Sequence, residues 1–169
     1  METKQTSLWN SKKQVKKGNI GEQIVKAYLE NNGLIVYKPL TDGSHPFDNL
    51  CANDREIFIV EVKTKEARAY YPDTGINIQH FNRYMEVKKK HNIKIYLFFV
   101  DAANAKIYGE ELDNLIKPVK VKGNQYPLNQ NEIIYFPLEN MKIIAELSQA
   151  QCNLIKVYNT KNYIGASKF

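Results

Sequence analysis

Cysteine is scarce in this chain of 169 residues: Cys51 and Cys152 lie far apart and fit no Cys-x-x-Cys spacing. That indicates neither a zinc site nor a disulfide framework. No apolar run approaches the ~20 residues needed to cross a bilayer, and the first residues lack the apolar core of an export signal. The expectation is a cytoplasmic, reduced protein with no membrane association. Internal repeats and obvious linkers are also missing, so one decorated domain is the simplest organisation. Hydrophobic content of 43% and charged content of 25% are ordinary for a globular chain long enough to bury one core.

The charge is unbalanced. A net charge of +6 and a pI near 9.1 are compatible with nucleic acid as a partner without establishing it. Residues 1–17 hold Lys4, Lys12, Lys13, Lys16 and Lys17 against Glu2 alone, and read as a basic, loosely docked arm. Trp9 in this arm either anchors it to the core or stacks on a base. The run Lys88-Lys89-Lys90 closes a helix, where a solvated face is the ordinary fate of such charge. Residues 18–108 then read as the core, and residues 109–169 as a C-terminal elaboration of the same domain.

A helix is expected from Gly18-Asn19 to Asn32-Gly33, with Asn19 as N-cap and Gly33 just past the end. Ile20, Ile24, Ala27 and Tyr28 form its apolar stripe, with Val25 and Leu29 beside it. Glu22 shares the side of Val25 and Leu29, in a first turn where the helix dipole favours a carboxylate. Strands are expected at Leu34 to Leu40 and Phe47 to Ala52, with turns at residues 41–44 and 53–56. Residues 66–78 read as a polar loop containing Tyr70 and Tyr71, which could stack on bases, and Ile78 to Asn92 as a helix. Ile93 to Val100 reads as a central strand, and Ala105 to Tyr108 as another. Further on, the pattern suggests helix at Glu110 to Ile116, strand at Glu132 to Phe136, and helix from Leu138 to Leu147 continuing over Ser148 to Tyr158. Asn159 to Phe169 reads as a tail.

The chain is organised around Ile57-Phe58-Ile59-Val60-Glu61-Val62-Lys63-Thr64-Lys65. β-Branched and aromatic residues dominate it, and it is too short for a core helix, so it reads as a buried strand. Alternation puts Phe58, Val60 and Val62 on one face, and Ile57, Ile59, Glu61 and Lys63 on the other. The second face begins apolar and ends with a carboxylate and an amine. Charges on the inner half of a sheet cost several kcal/mol unless paired or bound to metal, so the strand's end is a site candidate. A hairpin through the turn at residues 53–56 brings Asp48 to the same end. Two or three carboxylates there form an oxygen-rich site suited to a hard cation such as magnesium. A lysine beside them can position a water and offset charge on a phosphate oxygen. These are the parts needed to hydrolyse a phosphodiester.

His45-Pro46-Phe47-Asp48 followed by Glu61-Val62-Lys63 resembles the PD-(D/E)-x-K pattern of the restriction-endonuclease-like nucleases, with Phe47 inserted between Pro46 and Asp48. Gly18-Asn19-Ile20-Gly21-Glu22 resembles the Gly-x-x-Gly-Glu start of the first helix in Holliday junction resolvases. The resemblance covers roughly residues 18–108. It implies an α/β fold with a central mixed β-sheet flanked by helices, and a metal-dependent endonuclease acting on DNA. Asp48 and Glu61 would ligate Mg2+, with Mn2+ as a substitute, the Val62 carbonyl would be a third ligand, and Glu22 would hold the metal directly or through water. Lys63 would be the catalytic lysine. Lys65 and Arg68, just past the site, are the expected phosphate contacts. His45 reads as a loop residue near enough to Asp48 to face substrate. Gln79 is an auxiliary candidate, although Tyr84 follows it one residue too far for the Gln-x-x-x-Tyr motif of recombination-type exonucleases. A homodimer is plausible because many relatives cut both strands as pairs. A non-catalytic nucleic-acid-binding module of the same fold, or a nuclease directed at RNA or used as a toxin, are the alternatives.

Overall fold

The computed structural model describes residues 12–39 and 47–159. Trp9, the expected turn at residues 41–44, His45 and nearly all of the expected tail lie outside the described residues. Helix α1 spans Lys13–Asn31 and begins earlier than Gly18-Asn19, with Lys12 at the N-cap position and no side-chain cap. Lys13, Lys16 and Lys17 therefore belong to its first turns rather than to an arm. Its end matches expectation: Gly33 has φ +80°, its N–H donates to Glu30 O, and Leu34 N–H donates to Leu29 O. That pair of bonds is a Schellman stop, which a glycine adopts without Cβ strain.

Strands β1 (Ile35–Tyr37), β2 (Asn49–Ala52) and β3 (Ile57–Thr64) form an antiparallel meander. The turn between β2 and β3 is closed by Asn53, whose side chain accepts from the N–H groups of Arg55 and Glu56. Then come β4 (Asp73–Asn77) and α2 (Ile78–His91), before β5 (Lys94–Asp101) pairs parallel to β3. Residues 66–78 are thus not simply a loop: they contain β4. The Lys88–His91 turn closes α2, where cations suit the helix dipole, and Lys88 pairs with Asp113 at 2.8 Å.

Strand β6 (Lys106–Glu111) runs across the boundary expected at residue 108, and a short helix α3 (Leu112–Leu115) follows. Next come β7 (Val119–Val121), β8 (Asn124–Tyr126), β9 (Leu128–Gln130) and β10 (Ile133–Pro137). The helix expected over Leu138 to Leu147 is absent: a short 3-10 turn at Leu138–Asn140 leads into strand β11 (Lys142–Glu146). Helix α4 (Gln149–Val157) is a separate element, started by a capping box between Ser148 and Gln151.

The main sheet has the order β1-β2-β3-β5-β6-β11, and a smaller sheet the order β4-β10-β9. One face of the main sheet packs Phe58, Val60, Val62, Phe98 and Val100 against Val25 and Leu29 of α1 and Cys152 and Ile155 of α4. The other packs Ile59, Ile95, Leu97 and Phe99 against Tyr84 of α2 and Ile76, Ile134 and Phe136 of the smaller sheet. The alternation expected of β3 holds on both faces. Among the described residues, no helix is long and apolar enough to cross a membrane.

Candidate active site

Asn49 pairs with Val60, so the preceding residue, Asp48, comes opposite Glu61 as the two strands diverge. The pair is then locked by its own polar groups. Asp48 N–H donates to Glu61 Oε2 at 3.1 Å, and Asp48 Oδ2 accepts from Val62 N–H at 2.8 Å. Asp48 and Glu61 share the face of Leu50 and Ile59, under α2. A strand residue's N–H and C=O point to the same edge, so the Val62 carbonyl also faces the Asp48 side.

Glu61 is 3% exposed, and both carboxylate oxygens are held. Oε1 accepts from Lys63 Nζ and, at 2.5 Å, from the Tyr84 hydroxyl. Tyr84 is itself buried on α2, and sequence reasoning missed its role. In the sequence it stands out only against the Gln-x-x-x-Tyr spacing, which it does not fit, yet it packs in the core and its hydroxyl reaches through that core to the site. Burial, then the Glu61 charge and hydrogen bond, push the Tyr84 hydroxyl pKa well above its ordinary value, so it stays a donor.

Burial also pushes the Asp48 carboxyl up to about 7, and the charges of Glu61 and Glu22 add to the effect. Lys63 and the Val62 N–H oppose it without cancelling it. Two carboxylates crowded in this way want a cation between them. Glu22, on α1 beside Gly21, lies near enough for its charge to reach Asp48, yet its carboxylate is taken by Lys38 at 2.5 Å. Gly21 explains how α1 comes so close: a Cβ there would stand 1.9 Å from Thr64 Oγ1 at the end of β3. Among the described residues, no three His, Cys, Asp or Glu side chains converge as a ready metal cluster. The oxygen set brought together is Asp48, Glu61 and the Val62 carbonyl, all hard donors of the type magnesium prefers.

Arg68 has an internal partner that the sequence did not reveal. Its guanidinium grips buried Asp73 through two bonds of 2.6 Å, donates to Gln130 at 3.0 Å, and lies against the rings of Tyr71 and Tyr135. Tyr126 also donates to Asp73, at 2.6 Å. Lys65 Nζ donates to Gly75 O at 3.1 Å, and burial, with Arg68 close by, lowers its pKa. Lys65 and Arg68, the expected phosphate contacts, both bond to the smaller sheet in this structure. Gln79 is exposed, and its N–H takes part in the α2 cap on Asn77. The next α2 residue, His80, feels the Lys63 and Glu61 charges.

No protein-family model matches the chain, and no curated protein matches it. Among solved structures it is similar to Hjc of Archaeoglobus fulgidus, a Holliday junction resolvase from an archaeal hyperthermophile. The likeness has a TM-score of 0.53 at 12% identity, and covers 84% of this chain and 100% of that one. At that identity the likeness is one of fold. The chain has a restriction-endonuclease-like fold: a central mixed sheet flanked by helices.

Proposed function

We propose that the protein is a metal-dependent nuclease that hydrolyses phosphodiester bonds, and specifically a DNA endonuclease. The observation that carries this reading is the interlock of Asp48 with Glu61 and Val62, with Lys63 on the same carboxylate, at the end of a buried strand. Burying Glu61 and half-burying Asp48 and Lys63 beside it carries a desolvation cost that apolar residues would not. Such an arrangement is retained for chemistry more readily than for stability. The fold shared with a Holliday junction resolvase adds weight in favour of DNA.

On this reading Asp48, Glu61 and the Val62 carbonyl hold Mg2+, with Mn2+ able to replace it, and Glu22 assists once Lys38 releases it. A bound divalent cation supplies a more acidic water and offsets charge on the phosphate. Lys63 would turn its Nζ from Glu61 and donate a hydrogen bond that orients the attacking water or offsets charge on a phosphate oxygen, with no proton transferred. Tyr84 keeps Glu61 in place while Lys63 moves. A symmetric pair of chains, each cutting one strand, completes the proposal.

The test is cleavage of supercoiled plasmid, four-way junction, single-stranded DNA and RNA with magnesium or manganese, comparing wild type with Glu61→Ala. Cutting by wild type alone supports the reading, and the preferred substrate selects among DNA, branched DNA and RNA. Equal cutting by Glu61→Ala removes the site from consideration. Tight binding without cutting on any substrate favours the non-catalytic module.

A further inference from the structure

The chain has three arginines, Arg55, Arg68 and Arg83, and their surroundings separate them. Arg55 is exposed in the β2–β3 turn, at the opposite end of β3 from Glu61. Arg68 is closed in by Asp73, Gln130 and two tyrosine rings. Arg83 is exposed on α2 and has no hydrogen bond or ion pair among the described residues.

Its place on α2 matters. Positions 80, 83 and 84 are neighbours on a helix surface by their spacing of three and four. The inner end of this stripe is Tyr84, whose hydroxyl bonds Glu61. His80 packs edge-on against the Tyr84 ring, with centroids 6.4 Å apart, and is exposed to solvent. His80 lies in the fields of Lys63, Glu61 and Arg83, and the Arg83 charge is also felt at Tyr84. The outer end of the stripe is exposed, and its inner end is the Tyr84 hydroxyl on Glu61.

A polyanion approaching the site meets Asp48, Glu61 and Glu22, carboxylates that repel it when ionised. The cations nearest those carboxylates are already engaged: Lys63 with Glu61 and Lys38 with Glu22. Lys65 and Arg68 are turned to the smaller sheet. Among the described residues, Arg83 is an exposed cation beside the site with no hydrogen bond or ion pair of its own. Its planar fork suits two phosphate oxygens at once, which an ammonium cannot match.

We propose that Arg83, with His80 beside it, contacts the nucleic-acid backbone at a phosphate flanking the one cleaved; this rests on the nuclease reading above. The test is binding, not cleavage. Fluorescence anisotropy of a labelled four-way junction and a duplex is followed with calcium in place of magnesium, over a series of salt concentrations. Arg83→Ala should weaken binding about tenfold and lower the slope of log affinity against log salt by about 1. Arg83→Lys should keep most of the slope and lose part of the affinity. Arg55→Ala, which removes the same charge from the far end of β3, should change neither quantity. Wild-type affinity and slope in Arg83→Ala, or an equal loss in Arg55→Ala, would overturn the assignment. A wild type that binds no nucleic acid of any kind would instead overturn the nuclease reading, and this inference with it.

Discussion

The Tyr84 hydroxyl donates to Glu61 Oε1 at 2.5 Å from α2, and Lys63 donates to the same oxygen from two residues along β3. One donor is fixed in the core and the other is a flexible amine with a quarter of its side chain exposed. The fixed donor sets where the carboxylate stands, and the flexible one can leave it.

Tyr84→Phe removes one hydrogen bond to a charged group, worth about 1.5–3 kcal/mol, and leaves the packing intact. The chain should still fold, with a melting temperature lower by about 5 °C. If the proposed nuclease reading holds, cleavage at saturating metal should fall about tenfold, and half-maximal cleavage should need more metal. Scanning calorimetry beside a magnesium titration of the rate checks both. Full activity at unchanged metal demand would show that Lys63 and the Asp48 N–H suffice to hold Glu61.

Gly21 is required by space rather than by backbone conformation. Gly21→Ala drives a methyl group into Thr64, an overpacking cost of about 1–3 kcal/mol, while the gain in helix propensity returns about 1 kcal/mol. A net loss is expected in urea unfolding. Thr64 Oγ1 is buried without a hydrogen-bond partner, so Thr64→Ala sacrifices no bond. The double variant should recover most of the loss, a coupling that a double-mutant cycle reads directly.

Arg68→Ala should be far more damaging than its partly exposed position suggests. It strands the Asp73 carboxylate, which is fully buried, and the expected cost is about 3–5 kcal/mol in chemical unfolding. Tyr126 cannot compensate, because it supplies one neutral hydrogen bond. Replacing Arg68 and Asp73 together by apolar residues should recover much of that cost.

Ser148→Ala removes the hydroxyl that accepts from Gln151 N–H, and leaves the residue-148 backbone N–H still donating to Gln151 Oε1. A loss of about 1 kcal/mol is expected, with faster hydrogen exchange in the first turn of α4. Cys152 and Ile155 still hold the helix on the sheet, so it should loosen rather than detach.

The parts of the fold legible in the sequence were those with local signals. The alternation in β3 placed Glu61 and Lys63 on one face, and Gly33 marked the end of α1. The turn at residues 53–56 correctly carried Asp48 to Glu61. The misses share a cause, which is that distant partners decided the outcome. Leu138, Met141, Ile144 and Leu147 have helical spacing, yet the edge of β6 was open and took the segment as β11, with a bulge between Ile143 and Ala145. Strand β4 reads Asp-Thr-Gly-Ile-Asn, poor in strand formers, and exists because β10 pairs with it. Gly75 fits there because a Cβ would stand 2.4 Å from Ile134 O. The internal partners of Arg68 and Lys65 were not legible for the same reason: Asp73, Gln130 and Tyr135 are remote or unremarkable in sequence and adjacent in space. The start of α1 was missed because Lys13 to Lys17 lack both a capping side chain and an apolar stripe.

The pairing of β4 with β10 also fixes an order of events during synthesis. Strand β4 leaves the ribosome with Ile76 needing cover and Asp73 partnered by Arg68 alone, while Tyr126 and β10 are still untranslated. The nascent chain must carry this unfinished layer through the whole of α2, β5 and β6, because domains settle as units rather than strand by strand. A gene cut back to end at codon 108 would therefore yield a polypeptide with every charged group of the β3 site and no lid for the layer beside it. Such a fragment should collect as insoluble material rather than as a minimal nuclease.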